Sequence, residues 1–315
     1  MKSISDKIYR PIFPSGDVTY QSESTKERLE QYLKIINTAL VDGCQLHESV
    51  TSPRDKELMK SLVSLANDEK CGLNAYYCDS PLEMMNKIKM MGENECLAHF
   101  VVNMGEGGTH YSAFEFLKKD EKLSIIGIEP STTRSLGAGL LAIRTSQAVK
   151  SVLPDASFIF IETDLQRSNG GCGIFSLFLV KKMFKERTAM LELHEKNISG
   201  AFESYNGVIN QNISDTLIPP SFMKHAQSPK RLNFYLDKNP LATKLVINNK
   251  GETLKERQNR LIVTIENKGK QITYSNSIEV KRKIEIEKLL SKYIARDTPD
   301  LPSESPDNQI KTAQS

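Results

Sequence analysis

The amino-acid sequence predicts an α+β fold, in which helices pack against a mostly antiparallel sheet. Four short runs rich in apolar and β-branched residues follow one another in the middle of the chain, at 97–102, 110–116, 123–128 and 157–162. A helical pattern at 138–152 lies between the last two runs, and a strongly apolar helical stretch at 173–186 follows them. Short strands joined by turns, with helices grouped around them, are typical of an α+β core.

Three helical segments are predicted before the sheet. Ser24 and Glu27 have the spacing of a capping box, and the apolar residues that follow recur every three or four positions until Asp42-Gly43 ends the helix. Further helices are predicted at 53–66 and 81–91, because each stretch opens near a proline, which is common in the first turn of a helix.

The pattern weakens after Gly200. The predicted elements are a loop at 206–220, a basic and partly helical segment at 222–236, short strands at 245–247 and 261–265, and a charged amphipathic helix at 280–294. Residues 1–23 and the stretch from residue 297 onward contain several prolines and many polar residues, and we expect both to be disordered.

Length and composition limit the classes of protein to which this sequence can belong. The 315 residues exceed the usual size of one domain, so we expect a large core with an accessory lobe, or two domains. A net charge of only +3 and the lack of tryptophan argue against a nucleic-acid-binding protein. No apolar run has the length of a membrane span, and we expect no secretory signal peptide. The five cysteines form no metal-type pair, which favours a reduced compartment and predicts no metal site.

Cys172 lies between a glycine pair and the apolar stretch that is predicted to be a buried helix. A cysteine at a helix N-terminus faces unpaired N–H groups and the positive end of the macrodipole, and both favour its thiolate. Upstream, His110 follows a glycine-rich turn, Glu129 ends a predicted strand, and Gln166 precedes the cysteine in a loop. The order His, Glu, Gln, Cys supplies a base, a group that orients the base, an oxyanion donor and a nucleophile.

Each of these residues alone also has a structural explanation. A single cysteine is most often a small buried hydrophobic residue, and a single histidine is most often structural. The carboxylate at a strand end could be solvated, and the glutamine could bond to the loop backbone. Together they match the needs of thiol catalysis: an imidazole that forms an ion pair with a thiolate, a carboxylate that supports its charge, and an amide that donates to an oxyanion.

Several segments resemble the YopJ family of bacterial effectors, and they occur in the right order over about residues 26–294. The segments are NMGEGGTH at 103–110, EP at 129–130, LAIRT at 141–145, DLQRS at 164–168, CGIF at 172–175, LHEKNI at 193–198 and FMKHAQ at 222–227. These motifs are specific, because they surround the candidate base, acid and nucleophile.

The resemblance implies a fold and a domain organisation. The catalytic core is expected to be similar to that of ubiquitin-like-protein cysteine proteases, whose residues follow the same order, and a mostly helical regulatory lobe is expected from the N- and C-terminal segments. The implied divisions are a disordered N-terminal secretion segment at 1–23, the N-terminal part of the regulatory lobe at 24–60, the catalytic core at 61–205, the C-terminal part of the lobe at 206–295 and a disordered tail at 296–315.

The resemblance also implies an activity. Members of the family are virulence effectors that a type III system secretes into the host cell cytoplasm. They are allosteric acetyltransferases that move an acetyl group from acetyl-CoA to Ser, Thr or Lys of host signalling proteins, among them kinases of the MAP kinase kinase type. Inositol hexakisphosphate activates them. The expected co-substrate and activator of this chain are therefore acetyl-CoA and inositol hexakisphosphate.

Roles for single residues follow from the same resemblance. Cys172 would be the nucleophile that takes the acetyl group, His110 the base and Glu129 its orienter. Gln166 would match the oxyanion position, and the residues expected to contact coenzyme A are His110, Arg167 and Ser168. This chain has Gly171 before the nucleophile, where relatives tend to carry an acidic residue. The loop is therefore expected to be looser here.

Basic residues are candidates for the activator site. A charged run is most often a solvated face. A highly phosphorylated ligand, however, requires Lys and Arg that converge from several segments. With the family resemblance, the residues expected to bind inositol hexakisphosphate are Lys181, Lys182, Lys185, Lys224, His225 and Arg257.

Two other functions remain open at this point. A cysteine protease acting on ubiquitin-like conjugates would use the same first step with water as the acceptor, so the triad does not separate it from an acetyltransferase. A non-catalytic module that sequesters a kinase through the helix at 29–40 is the third hypothesis. It is the least favoured, because such a module has no use for the His, Glu, Gln and Cys set.

Overall fold

The computed structural model describes residues 8–9, 24–92, 95–267 and 270–297. The strands in these ranges are β1 (Ile8–Tyr9), β2 (Gln45–Leu46), β3 (Ala75–Cys78), β4 (Leu97–Asn103), β5 (Tyr111–Lys119), β6 (Lys122–Glu129), β7 (Ser157–Glu162), β8 (Val208–Ile209), β9 (Ile262–Asn267) and β10 (Lys270–Ser275). The α-helices are α1 (Thr25–Val41), α2 (Glu48–Glu69), α3 (Pro81–Lys89), α4 (Leu136–Val152), α5 (Cys172–Lys185), α6 (Arg187–Ile198), α7 (Gln211–Ser214), α8 (Pro229–Lys238), α9 (Leu254–Arg260) and α10 (Ser277–Asp297). Two 3₁₀ helices occupy Pro220–His225 and Pro240–Lys244.

The central sheet has six strands in the order β3-β4-β5-β6-β7-β8. The prediction of a mostly antiparallel sheet is wrong, because only β4–β5 and β5–β6 are antiparallel while β3–β4, β6–β7 and β7–β8 are parallel. Parallel neighbours need a crossover, and helices α3, α4 and α5–α6 supply it. Strands β3 and β8 are too short to give a clear sequence pattern, so the sequence predicted only the four strands between them.

Helices cover both faces of this sheet. Alternation along β4 sends Val101 to the face covered by α5, where it joins Ile126 and Leu177, and sends Phe100 to the face covered by α3 and α4. Phe114 and Phe160 pack with Phe100 on that second face. The predicted strands β4–β7 and helices α4 and α5 are confirmed, with ends that differ by a few residues. In the part of the chain that the structure describes, no helix has the length and apolarity that crossing a membrane requires.

The N-terminal helices follow local sequence rules. The Ser24 hydroxyl accepts from the Glu27 N–H and the Glu27 carboxylate accepts from the Ser24 N–H, which confirms the predicted capping box of α1. Helix α2 begins earlier than predicted, because the ring of His47 caps it by accepting from the Ser49 N–H. Pro53 therefore lies inside this helix rather than at its start.

Helix α6 was not predicted, and it explains the segment LHEKNI. His194 donates from Nε2 to a Glu115 carboxylate oxygen 3.1 Å away and contacts Ser124 Oγ at 2.7 Å through Nδ1. Asn197 donates to the same hydroxyl at 2.8 Å. Burial alone would raise the pKa of Glu115, but hydrogen bonds from His194 and His99 lower it to about 2. This segment therefore fastens α6 to the sheet.

The chain ends of the described part pack together. Helix α10 lies against α1 and α2, and the β9–β10 hairpin precedes it. Helix α2 is continuous through residue 60, where a boundary between lobe and core was expected. Strand β1 lies in the segment 1–23, which was predicted to be disordered, and it pairs in parallel with β2. The rest of that segment lies outside the described residues. The predicted tail also lies outside them from residue 298 onward, and α10 reaches Asp297.

Candidate active site

His110 and Glu129 meet at one end of the central sheet. His110 directly precedes β5 and Glu129 ends β6, and the antiparallel register that pairs Ala113 with Ile128 brings these strand ends together. His110 Nε2 lies 3.0 Å and 2.9 Å from the two carboxylate oxygens of Glu129. Both carboxylate oxygens thus contact the same ring nitrogen, so Nδ1 remains available to another partner.

Glu129 is fully buried and its orientation is fixed by two further donors. The Ser112 hydroxyl donates to Oε2, and the Ser131 N–H donates to Oε1 over 2.8 Å. Charge-assisted bonds of this kind hold a carboxylate in place and stabilise its ionised form. The ring of His110 therefore faces a preorganised anion rather than a mobile side chain.

The charge of His110 follows from these neighbours. Burial alone would lower its pKa, but the negative charge of Glu129 and the hydrogen bond with Cys172 outweigh burial and raise the pKa to about 11. The ring is consequently an imidazolium at neutral pH. A thiolate on Cys172 would meet this imidazolium in a site that is largely shielded from water.

Cys172 is the first residue of α5, whose remaining residues form the centre of the core. Its thiol is 5% exposed and donates to the Thr109 carbonyl oxygen 3.2 Å away, so it lies directly beside the turn that carries His110. No side chain caps the N-terminus of α5, so its first N–H groups are available to a charge in the site. Of the five cysteines, this is the one beside an imidazole and a carboxylate.

Gln166 lines the same cavity as the thiol. Its amide Nε2 donates to the Ser168 carbonyl oxygen over 2.5 Å, and its Oε1 is buried without a hydrogen-bond partner. A cavity of about 230 Å³ opens between these groups. The residues that line it are Glu48, Ser52, Thr109, His110, Ser131, Ser135, Gly137, Gln166, Arg167, Ser168, Asn169, Gly170 and Cys172. All residues expected at the catalytic and coenzyme A sites, except the buried Glu129, line this cavity.

Arg167 and Ser168 are each held by a polar side chain. The Arg167 guanidinium donates to both carboxylate oxygens of Asp164, and its side chain remains 47% exposed. Ser168 bonds to Gln227, whose Oε1 accepts from the Ser168 N–H at 2.8 Å and from the Arg167 N–H at 2.5 Å. Gln227 was not predicted to be a functional residue, although it ends the segment FMKHAQ.

Arg144 is a second residue that the sequence analysis missed. It donates to the Met104 carbonyl over 2.7 Å and pairs with the Glu106 carboxylate, so it fixes the glycine-rich turn that leads to His110. It belongs to the segment LAIRT, which was noted without a role. Gly137 of the same helix also supports the base, because a Cβ there would come within 3.0 Å of the Cβ of His110.

Gly170 and Gly171, which precede the nucleophile, differ in whether the backbone requires a glycine. Gly170 has φ +81°, and a Cβ there would overlap Thr51 Oγ1 and come within 2.8 Å of the Glu48 Cα. Gly171 has φ −92°, and a Cβ would approach Ser168 Oγ at 3.1 Å. Only Gly170 therefore requires glycine, and the departure at Gly171 leaves the backbone unstrained.

We expect Gly170→Ala to lower the free energy of unfolding by about 2 kcal/mol or more and to reduce activity strongly, because it combines left-handed strain with a clash against α2. Gly171→Ala is the matched control, and it should change either quantity little. Thermal unfolding and turnover of both variants check this prediction. Equal losses in the two variants would contradict it.

A second cavity, of about 280 Å³, is strongly cationic. All the residues expected to bind a polyphosphate line it, and so do two further lysines; the Lys, Arg and His residues around it are Lys70, Lys181, Lys182, Lys185, Lys224, His225, Arg257 and Lys281. Three members have polar partners already: Lys181 lies 2.8 Å from a Glu285 oxygen, Lys281 pairs with the same carboxylate, and buried His225 contacts Ser277 Oγ at 3.1 Å. The others converge from the C-terminal end of α2, from α5, from α9 and from the first 3₁₀ helix.

The cations in this second cavity repel one another. Burial, and then the charges of Lys224 and Lys185, lower the pKa of Lys182 to about 8. Burial and the charge of Arg257 lower the pKa of Lys224 to about 8 as well. The Nε of Arg257 is buried without a hydrogen-bond partner. A buried guanidinium nitrogen without a partner and two depressed lysine pKa values show that this cavity would favour an anion.

Known proteins share this fold and much of this sequence. Residues 29–288 match the family model described as YopJ Serine/Threonine acetyltransferase. The chain is 38% identical to the serine/threonine-protein acetyltransferase YopJ of Yersinia pestis, over 88% of this chain and 96% of that protein. It is 37% identical, over the same shares, to the YopJ of Yersinia pseudotuberculosis.

Solved structures agree with these sequence matches. The structure of AvrA delL154 with IP6 and CoA is 34% identical and has a TM-score of 0.76, over 85% of this chain and 99% of that one. The structure of HopZ1a in complex with IP6 and CoA is 15% identical with a TM-score of 0.69, over 87% and 94% of the two chains, and it supports the fold alone. The predicted fold class and family are confirmed. The chain belongs to the YopJ family of serine/threonine acetyltransferases.

Proposed function

We propose that this protein is an effector that moves an acetyl group from acetyl-CoA through acetyl-Cys172 to Ser, Thr or Lys side chains of host signalling proteins. The observation that carries the proposal is the contact of Cys172 with the His110 ring, which buried Glu129 holds, in a chain of this family. The proposed setting is the host cell cytoplasm after type III secretion, and kinases of the MAP kinase kinase type are the proposed acceptors.

The first half-reaction acetylates the enzyme. The Cys172 sulfur attacks the thioester carbon of acetyl-CoA, the bond from that carbon to the coenzyme A sulfur breaks, and the leaving thiolate takes the proton of the His110 imidazolium. The proposed donors to the transient oxyanion are the Cys172 N–H and the amide N–H of Gln166 that Ser168 does not take. The pKa of His110 falls in this step, because acylation removes the Cys172 charge that helps to raise it.

The second half-reaction releases the acetyl group. The acceptor hydroxyl or amine attacks the acetyl carbon, His110 takes its proton, and the Cys172 thiolate leaves. The starting pair of imidazolium and thiolate is thereby restored. One base and one oxyanion site serve both halves, so the acceptor must approach through the same cavity as the coenzyme.

The active-site cavity has groups that fit coenzyme A. The half-exposed guanidinium of Arg167 offers a cation for a phosphate, the Ser168 hydroxyl lies beside it, and the orphaned Oε1 of Gln166 offers an acceptor for an amide N–H. AvrA and HopZ1a, the similar structures, were solved with CoA. When bound, the coenzyme supplies the activated acetyl group.

We propose that the cationic cavity binds inositol hexakisphosphate as an activator. Its Lys and Arg side chains come from segments far apart in the sequence, so a ligand with many phosphates would draw them together. AvrA and HopZ1a were also solved with IP6. We further propose that the segments 24–60 and 206–295 act as a regulatory lobe around the core at 61–205, since they carry α10 and several of the cavity's cations.

Affinity for inositol hexakisphosphate should respond to pH through the two shifted lysines. Because Lys182 and Lys224 have pKa values of about 8, they lose charge as the pH rises past that value, and binding should then weaken. Lys182→Met should reduce affinity by about tenfold near neutral pH and flatten the pH dependence. Titration calorimetry from about pH 7 to about pH 9 measures both effects.

The matched control for this prediction is Lys230→Met, which removes an exposed lysine outside the cavity. It should keep the pH dependence of the native protein, including any part that comes from ionisation of the ligand itself. A pH profile that is identical in Lys182→Met and the native protein would contradict the assignment of this lysine.

One comparison separates the proposed transferase from the protease. The purified protein should become labelled by radioactive acetyl-CoA and should leave a ubiquitin-type or SUMO-type reporter uncut. Cleavage of the reporter without labelling would favour a cysteine protease. The native protein and Cys172→Ala should be compared in both assays, because only a reaction at this thiol disappears in the variant.

A further inference from the structure

The loop that precedes the nucleophile is held at two points, and each point is linked in sequence to the cationic cavity. This catalytic loop comprises residues 166–171. Gln227 holds its beginning and Arg282 holds its end. Neither residue lines the cavity around Cys172, so neither touches the reacting atoms.

Gln227 is 1% exposed and connects the catalytic loop to the segment of Lys224. Its Oε1 accepts from the Ser168 N–H, and its Nε2 donates to Ser168 Oγ over 2.9 Å. The Ser168 carbonyl in turn accepts from the Gln166 amide, which is the proposed oxyanion donor. Gln227 therefore sets the Gln166 amide through Ser168, while Lys224, three positions earlier, lines the cationic cavity.

Arg282 is fully buried on α10 and holds the other end of the loop. One terminal nitrogen donates to the Gly170 carbonyl over 2.9 Å and to an Asp55 oxygen over 2.9 Å, and the other pairs with Glu279. The preceding residue of the helix, Lys281, lines the cationic cavity. A shift of α10 that moves Lys281 must therefore move the donor of the Gly170 carbonyl.

We propose that Gln227 and Arg282 are positioning residues that form a two-point clamp on the catalytic loop and transmit occupancy of the cationic cavity to the nucleophile. The inference rests on the proposed activation by inositol hexakisphosphate. Phosphates in the cavity draw Lys224 and Lys281 toward the lysines of α5, the helix that begins with Cys172. This closes the segments that carry the clamp onto the loop and offsets the mutual repulsion of Lys182, Lys224 and Arg257.

Two substitutions remove the hydrogen bonds of the clamp to the loop but keep the volume or the charge of the side chain that they replace. Gln227→Met keeps the volume of a neutral side chain and removes the acceptor for the loop N–H groups. Arg282→Lys keeps a positive charge between Asp55 and Glu279, but a single amine cannot also serve the Gly170 carbonyl. The matched control is Lys292→Ala, which breaks an α10–α2 ion pair with Asp68 away from both cavities.

Three measurements test the clamp in the full-length protein: calorimetric affinity for inositol hexakisphosphate, hydrogen exchange of the loop N–H groups with and without it, and the rate of acetyl-Cys172 formation. Both clamp variants should bind the ligand with near-native affinity. The ligand should no longer protect the loop in them, and its stimulation of acetylation should fall about tenfold or more. The control should behave as the native protein does.

The clamp is refuted if the two clamp variants keep ligand-dependent protection of the loop and full stimulation. Failure of the proposed activation has a different signature, since the native protein itself would then show neither binding nor stimulation, and the clamp would fall with it. Should Arg282→Lys prove unfolded by its thermal transition, Gln227→Met, which changes no charge, decides the outcome alone.

Discussion

Replacing Cys172 with alanine should lower acetyl transfer on the order of 10⁴-fold or more, because the hydroxyls that line the cavity are much weaker nucleophiles than a thiolate. The fold should survive. The thiol is a small group at the edge of the cavity, and the apolar side of α5 that builds the core remains intact. Initial rates with radioactive acetyl-CoA, together with the melting temperature of the variant, measure both effects.

The matched control for this substitution is Cys71→Ala, which removes an exposed thiol away from His110. It should keep native activity. If Cys172→Ala retained more than a small fraction of the native rate while folded, the nucleophile would be another residue and the proposed mechanism would fail.

Glu129→Gln should have the next largest effect, a loss of about 10³- to 10⁴-fold in the rate of acetyl transfer. The glutamine amide would present a donor to His110 Nε2 and would supply no charge. With Glu129 gone, burial becomes the dominant influence and the pKa of His110 falls from about 11 toward or below its ordinary value. The base would then face Cys172 in the wrong tautomer and without its charge.

The pH dependence of stability gives an independent test of the same pair. Because the pKa of His110 is raised from 6.5 to about 11, the folded protein binds more protons than the unfolded chain in this interval. Its stabilising contribution is complete below pH 6.5 and is lost as the pH rises toward 11. Glu129→Gln should abolish this contribution. Chemical denaturation of the native protein and the variant across the interval measures the difference, and parallel curves would contradict it.

Local rules explain which parts of the fold could be predicted from the sequence. The capping box of Ser24 and Glu27 and the apolar periodicity of α5 depend on residues within one or two helical turns, so the sequence contains them directly. The position of Cys172 at a helix start was predicted for the same reason. The sequence order of His110, Glu129 and Cys172 also pointed to one site, because each stands at the end of a predicted element.

Long-range contacts explain what the sequence analysis missed. The mixed character of the sheet depends on the three parallel pairs β3–β4, β6–β7 and β7–β8, and in each pair helices separate the two strands in the chain. Gln227 and Arg282 act on a loop that lies far from them in sequence. Polar residues in such segments look like ordinary surface or cap residues until the fold brings them to the loop.

The residues around the cationic cavity were predicted only in part. Resemblance to the family led to Lys182, Lys224 and Arg257, and the structure places all three around one cavity. The structure adds Lys281, which the sequence did not distinguish from the other charged residues of α10. It also pairs both Lys181 and Lys281 with Glu285, so these two residues have less capacity for a phosphate than Lys182 and Lys224.

Intact-mass spectrometry of the native protein after incubation with acetyl-CoA tests the central claim most directly. With inositol hexakisphosphate present, the protein should gain the mass of one acetyl group on a thioester that hydroxylamine removes and that peptide mapping places at Cys172. Without the activator the gain should be much slower, and Cys172→Ala should lack this thioester. An unmodified Cys172, or acetylation only at stable amide or ester positions in the variant and native protein alike, would contradict the account.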